Sequence, residues 1–220
     1  MNDGQKVTLY YAPQTRSTAT LTLLEELGAP YDLRVLNMRA GEQRQPAYLA
    51  INPMGKVPAI MHQGQLVTEQ VAIFLYLADL FPEAGLAPAI GDPLRGPYLR
   101  WMAFYAACLE PAVSDRAMKR DPLPPSQSGY GDYDTVINTL GKQLAKGPYL
   151  LGERITAADI LWGTALAWLT AWQLVPALPE FTKYVERISA RPAVARIKEQ
   201  DAALAAEHEK AAAAGRSAAQ

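Results

Sequence analysis

The apolar positions of this chain keep two different periods. Val7, Leu9 and Tyr11 recur at every second residue, as on a half-buried strand, and residues 16–27 then carry apolar side chains at helical spacing until Gly28 stops them. Tyr31, Leu33 and Val35 alternate again, and a short, poorly regular helix is expected over residues 46–50. Residues 59–61 and 65–67 flank Gln63-Gly64 as two strands flank a hairpin turn, and a helix starting at Thr68 or Glu69 runs to Leu80. The order β-α-β-α-β-β-α allows one parallel crossover and one antiparallel hairpin in a single small sheet with helices on its faces. That is a thioredoxin-like α/β pattern.

The alternating period then disappears. Pro82, Pro88, Pro93 and Pro97 fall among Gly85, Gly91 and Gly96 with no periodic apolar pattern, so the linker is placed at residues 82–93 between a first domain, 1–81, and a second, 94–203. The second domain reads as all helix: 94–117, 130–145, 156–172, 180–190 and from Pro192 onward. Pro111 should kink or split the first of these helices. Thr156-Ala157-Ala158-Asp159, with Ile155 and Ile160 as a staple, is a capping box that starts a helix apolar on nearly every face, and it is assigned to folding rather than chemistry. Residues 204–220 are expected to be a frayed, dispensable tail.

Composition narrows the classes. With 220 residues, half of them hydrophobic and a fifth charged, the chain can bury a full core, and a net charge of −1 leaves no electrostatic footprint for nucleic acid. No apolar run is long enough to span a membrane. The lone Cys108 cannot form an internal disulfide, and Met1-Asn2-Asp3-Gly4 lacks the pattern of a signal peptide, so a cytoplasmic location is expected. His62 and His208 have no ligand-spaced companions, which argues against a zinc site or a Ser-His-Asp triad. Gly28 and Gly55 stand alone, so no phosphate loop is present.

Two stretches carry the remaining chemistry. In Asn52-Pro53-Met54-Gly55-Lys56-Val57-Pro58, a cis bond before Pro58 would turn the N–H and C=O of Val57 outward, offering a strand-like dock for a bound peptide. The loop Ala12-Pro13-Gln14-Thr15-Arg16-Ser17 lies between the first strand and the first helix, where unpaired N–H groups and the positive end of a helix dipole gather anions. A thiolate held there would gain from that field and from the hydroxyl of Thr15 or Ser17. Lowering a thiol pKa from ~8.5 by two units needs only about 2.7 kcal/mol of preferential anion stabilisation. Either hydroxyl also serves as a helix N-cap, a role compatible with the first.

Tyr10-Tyr11-Ala12-Pro13, the stretch 52–58, Glu69 before Val71-Ala72-Ile73, and Gly152 leading to Thr156-Ala157-Ala158-Asp159-Ile160 together resemble a cytosolic glutathione S-transferase of the bacterial, non-cysteine type. The likeness runs from about Lys6 to Pro192. It implies a thioredoxin-like glutathione domain, an α-helical domain forming an electrophile pocket, and a homodimer. Glutathione would be a co-substrate, with no permanently bound cofactor and no metal. Carried over by residue, Pro58 falls on the family's cis-proline and Val57 on the partner of the cysteinyl unit, with Lys56 and Arg39 near the glycyl carboxylate. Glu69 matches the acceptor of the γ-glutamyl ammonium. Gln70 stands where the family usually carries a Ser that donates to the γ-glutamyl carboxylate.

The resemblance places the sulfur-contacting residue among Thr15, Arg16 and Ser17, with Ser17 favoured. Tyr11 imitates the tyrosine-type position, or simply packs in the core. Trp101, Tyr105 and Met118, with Tyr11, are the electrophile-pocket candidates, and Cys108 receives no role. Without a cysteine in the loop, a mixed disulfide with glutathione has no thiol to form on, which leaves conjugation to a small hydrophobic electrophile or glutathione-dependent peroxide reduction. Glutathione-dependent peroxide reduction, isomerisation or dehalogenation would use the same site, and a non-catalytic interaction module would keep the fold alone.

Overall fold

The computed structural model describes residues 5–217. The chain forms two compact units, one from residues up to 84 together with those from 192 onward, the other from residues 85–191. The first unit is built on a four-stranded sheet in the order β2-β1-β3-β4, from β1 (Val7–Tyr11), β2 (Tyr31–Val35), β3 (Ala59–His62) and β4 (Gln65–Val67). β1 pairs parallel to β2 and antiparallel to β3, which forms the hairpin with β4. This is the topology that the alternation of periods predicts. Val7, Leu9 and Tyr11 are buried on one face of the central strand, where Leu21, Leu23 and Leu24 of α1 (Ser17–Leu27) also lose nearly all their exposure. At its far end α1 closes on Gly28, whose N–H donates to Glu25 O while that of Ala29 donates to Leu24 O, so the last carbonyls are satisfied.

The remaining elements of this unit are a single helical turn, α2 (Pro46–Leu49), and α3 (Gln70–Leu80). The α9 helix (Pro192–Ser217) belongs here too. Sequence alone placed residues 192–203 in the helical domain and a frayed tail from 204. Instead, the helix is continuous to Ser217 and carries a buried stripe of Val194, Ile197, Asp201 and Ala205 at spacings of three and four. Such a stripe needs an apolar partner, and α1 supplies it. The charged residues between these positions obscured the pattern.

The second unit holds α4 (Arg95–Phe104), α5 (Glu110–Ala117), α6 (Tyr133–Leu144), α7 (Ala157–Ala171) and α8 (Pro179–Ser189). The break expected from Pro111 is a π turn, Tyr105–Leu109, directly before it. A proline withholds its N–H and crowds the preceding turn, and a widened i→i+5 turn accommodates both while the helix continues. Trp101, Phe104, Tyr105 and Trp162 form an aromatic cluster, mostly edge to face, and the Trp162 Nε1–H donates to the carbonyl of Trp101 at 3.2 Å. Gly163 of α7 faces α8 so closely that a Cβ there would lie 2.6 Å from Ile188. No helix among the described residues is long and apolar enough to cross a membrane.

At the start of α7 the capping box does more than end a helix. Asp159 is fully buried, and its carboxyl oxygens accept from Leu150 N (2.8 Å), Thr156 N (2.8 Å), the Thr156 hydroxyl (3.0 Å) and the Tyr184 hydroxyl (2.9 Å). Burial raises the Asp159 carboxyl above its usual range, opposed by these donors. Replacing it with alanine would strand several buried donors at a cost of about 1–3 kcal/mol each. Asp159→Ala is therefore expected to destabilise the protein by about 3 kcal/mol or more, measured as the shift in the urea unfolding midpoint.

Candidate functional site

The stretch 52–58 is held by two side chains upstream of Lys56, one four residues and one eight residues before it. Asn52, 2% exposed, donates from Nδ2 to Lys56 O at 2.9 Å and accepts from Met54 N at 3.1 Å, while the buried Tyr48 hydroxyl donates to the same Lys56 carbonyl at 2.7 Å. Gly55 has φ +60°, and a Cβ there would lie 2.7 Å from the carbonyl oxygen of Gln43, so glycine is demanded by both space and backbone. These fixed points deliver Val57-Pro58 as a cis peptide with Pro58 buried and Val57 half-buried. Among the described residues, the main chain of Val57 forms no hydrogen bond. Lys56 is exposed.

The β1–α1 loop is fastened by its own hydroxyls. Ser17 is wholly buried, and its Oγ accepts from Ala12 N at 3.0 Å and lies 2.9 Å from Ala12 O. Thr15 Oγ1 accepts from Ser17 N at 3.2 Å and lies 2.7 Å from both Ala12 O and Ser17 Oγ. Ser17, the residue favoured for contact with the sulfur, is thus enclosed within the loop. Thr15 is half-buried and Arg16 exposed. Tyr11 is no part of an open pocket either: it is 1% exposed and donates to Asp201 Oδ1 at 2.5 Å. Burial first, then that hydrogen bond and charge, hold its phenol protonated far above the usual range, so it packs and donates rather than acting as a base.

The α9 helix lies along the same loop. Ala12, Pro13 and Gln14 with Met38, Arg39, Ala205 and His208 line a cleft of about 40 Å³. Arg39 is half exposed and pairs with Glu209 at 3.4 Å, an exposed contact of little energetic weight. Asp201 reaches Gln14 N, the Thr18 hydroxyl and Tyr11. Sequence reasoning missed Asp201, although a carboxyl on the apolar stripe of a helix was the signal that could have found it.

Glu69 and Gln70 begin α3. Glu69 has φ +62°, an unusual conformation for a residue with a side chain, and its exposed carboxyl group has no bonded partner among the described residues. Gln70 donates from Nε2 to the carbonyl of Arg16 at 2.9 Å, tying the start of α3 to the β1–α1 loop, and its Oε1 is buried without a partner among the described residues. The structure therefore brings Thr15, Arg16, Ser17, Glu69 and Gln70 together around one loop.

The other candidates lie in the second unit. Trp101 is 2% exposed and walls a groove of about 520 Å³ with Leu94, Pro97, Arg100, Leu150 and Leu151. Tyr105 is buried, donates to Glu110 at 2.6 Å and packs edge-on to Trp162. Both rings are mostly covered by the aromatic cluster, so Tyr105 lines no open groove among those described and Trp101 reaches its groove only at an edge. Met118 is 68% exposed. Burial pushes the Cys108 thiol up, with Arg100 opposing, which disfavours it as a nucleophile. Among the described residues no group of three or more His, Cys, Asp or Glu could hold a metal ion.

Comparison with known proteins gives a consistent result over both units. Residues 5–79 match the glutathione S-transferase N-terminal domain family, and residues 127–197 match the glutathione S-transferase C-terminal domain family. The chain is 29% identical over 189 residues to glutathione S-transferase GstA from Escherichia coli O157:H7, covering 84% of this chain and 94% of that protein. A crystal structure of a glutathione transferase from Methylococcus capsulatus superposes with a TM-score of 0.76 at 31% identity, covering 89% of this chain and 98% of the other. A glutathione transferase homologue from Sulfitobacter, solved with bound glutathione, gives 0.71 at 29% identity over the same shares.

The enclosed hydroxyl of Ser17 carries a prediction about stability. Ser17→Ala leaves the Ala12 N–H without its acceptor and is expected to cost about 1–3 kcal/mol, read as a lowered midpoint in chemical denaturation.

Proposed function

Because the chain belongs to the glutathione S-transferase family, we propose that this enzyme binds glutathione as an extended strand on the Val57-Pro58 ledge and conjugates its thiolate to a small hydrophobic electrophile. The observation that carries the reading is the main chain of Val57, which has no hydrogen bond among the described residues and follows a carbonyl that Asn52 and Tyr48 hold in place. An extended tripeptide is recognised by such a main-chain edge in the way that a strand adds to a sheet. Glu69, with its free carboxyl group, accepts from the γ-glutamyl ammonium. Gln70 spends one amide proton on Arg16 O and keeps the other for the γ-glutamyl carboxylate. Lys56 and Arg39 attract the glycyl carboxylate.

Thr15 is the hydroxyl that faces the sulfur in this reading. Each hydroxyl carries one proton and both reach the carbonyl of Ala12, so when Ser17 donates to that oxygen at 2.9 Å the proton of Thr15 is released from it to a thiolate. Ala12 N–H, already donated to Ser17 Oγ, polarises the same chain. Ser17 then acts one bond removed from the sulfur, and Arg16 contributes charge at the loop. The thiol proton leaves to solvent, the thiolate attacks an electrophilic carbon, and the leaving group departs with the bonding pair. Holding both reactants together and keeping the sulfur ionised supply the rate. Met118 is the exposed member of the electrophile-contact set, and the working unit is a homodimer.

Retention on immobilised glutathione together with turnover of 1-chloro-2,4-dinitrobenzene is the direct test. A protein that shows neither does not have this function. Glu69→Ala is expected to weaken glutathione binding about 10- to 100-fold by calorimetry, the worth of one hydrogen bond to a charged group. Equal affinity would confine Glu69 to its helix. Thr15→Val should raise the pKa of the bound thiol toward the free value of ~8.5, so that the conjugation rate rises with pH over a higher range than in the unmodified protein. An unmoved pH profile would transfer the contact to Arg16 or Ser17.

A further inference from the structure

The β1–α1 loop contains a residue that does not suit its own backbone. Gln14 has φ +55°, in the left-handed region that a residue with a Cβ enters at a cost of about 1 kcal/mol or more. Nothing within the loop compels it. The hydroxyls of Thr15 and Ser17 fasten Ala12 and the first turn of α1, not the amide of Gln14. That amide points to Asp201, 187 residues further along the chain, at 3.0 Å from Oδ2 and 3.2 Å from Oδ1.

Asp201 is 7% exposed on the buried stripe of α9, and its partners are donors without charge: Gln14 N–H, the Tyr11 hydroxyl at 2.5 Å and the Thr18 hydroxyl at 2.5 Å. No Lys, Arg or His side chain pairs with it among the described residues. A buried carboxyl group is costly to keep without a cation, and a purely structural contact between α9 and α1 would be served as well by an apolar residue. The carboxyl group has two oxygens to receive three donors, one at the end of β1, one at the strained turn and one on the first turn of α1. These are the three places that fix the path of Thr15.

We infer that Asp201 is a positioning residue for the glutathione thiol: by holding the Gln14 amide it keeps the loop left-handed at that point and so sets the Thr15 hydroxyl where it meets the sulfur. This rests on the function proposed above. Asp201 touches neither substrate in this scheme, and its effect passes through Gln14 and Thr15. An asparagine has the same shape but presents an amide NH2 in place of one oxygen, so at least one of the three donors would meet a donor.

The test compares the unmodified protein, Asp201→Asn and the double variant Asp201→Asn/Gln14→Gly, reading glutathione affinity by calorimetry and the bound thiolate by its ultraviolet absorbance against pH. Asp201→Asn should change affinity by less than about threefold, lower kcat about tenfold and raise the bound-thiol pKa by about one unit. Glycine enters the left-handed region freely, so Gln14→Gly should restore much of kcat and of the thiol pKa in the double variant. A merely structural Asp201 would show no such rescue. An Asp201→Asn variant with the thiol pKa of the unmodified protein, or a double variant no better than the single one, overturns the inference and leaves the proposed function standing. Failure of the unmodified protein to bind glutathione removes both. Should Asp201→Asn not fold, amide exchange in the unmodified protein decides: a protected Gln14 N–H supports the clamp, and exchange as fast as that of an unstructured amide refutes it.

Discussion

The first unit depends on how the chain leaves β1. At Ala12 the sheet no longer supplies partners, yet the residue is buried, and an unpaired main-chain group there would cost as much as a lost hydrogen bond. Ser17 and Thr15 meet both needs of Ala12 within a few residues, so the turn into α1 is rigid without a glycine or a helix-capping side chain at the usual position. Once that turn is set, two elements bond to it, α3 through Gln70 and α9 through Asp201, which also accepts from Tyr11 of β1. A loop fastened from so many directions can carry a precise geometry while part of it stays open to solvent.

The stretch 52–58 follows another logic. The chain from Asn52 to Pro58 is fixed by a buried asparagine and tyrosine that converge on one carbonyl, and by a glycine with no room for a side chain. Asn52 and Tyr48 bond to Lys56 O and Met54 N within the turn, while Val57 is left with an edge that resembles that of an outer strand. Both stretches are thus held by side chains that bond to main-chain groups a few residues away.

Much of this was legible because it is local. Strand alternation, the Gln63-Gly64 turn with positive φ at both residues, the stop at Gly28 and the Thr156–Asp159 box each read correctly from neighbours in sequence. The π turn could be placed only as a disturbance at Pro111, since sequence reports that a proline is incompatible with a regular turn and not how the helix absorbs it. Ser17 and Thr15 were both visible as hydroxyls of that loop, but which one is enclosed depends on the path of the loop. Gln70 was visible as an unusual residue, and its attachment to Arg16 O was not, because that contact spans 54 positions. The place of α9 in the first unit was illegible for the same reason: its stripe is amphipathic in any setting, and only the fold decides which surface it covers.

That α9 shares a unit with β1 has a consequence for how the protein is made. During synthesis the sheet and its first helices emerge early, but the acceptor for Gln14, Thr18 and Tyr11 arrives only when residue 201 has left the ribosome. The helical unit, residues 85–191, is contiguous and has all its parts before then. The sheet is therefore made before its own loop can be finished, and the β1–α1 loop waits for a residue on the far side of the whole helical unit.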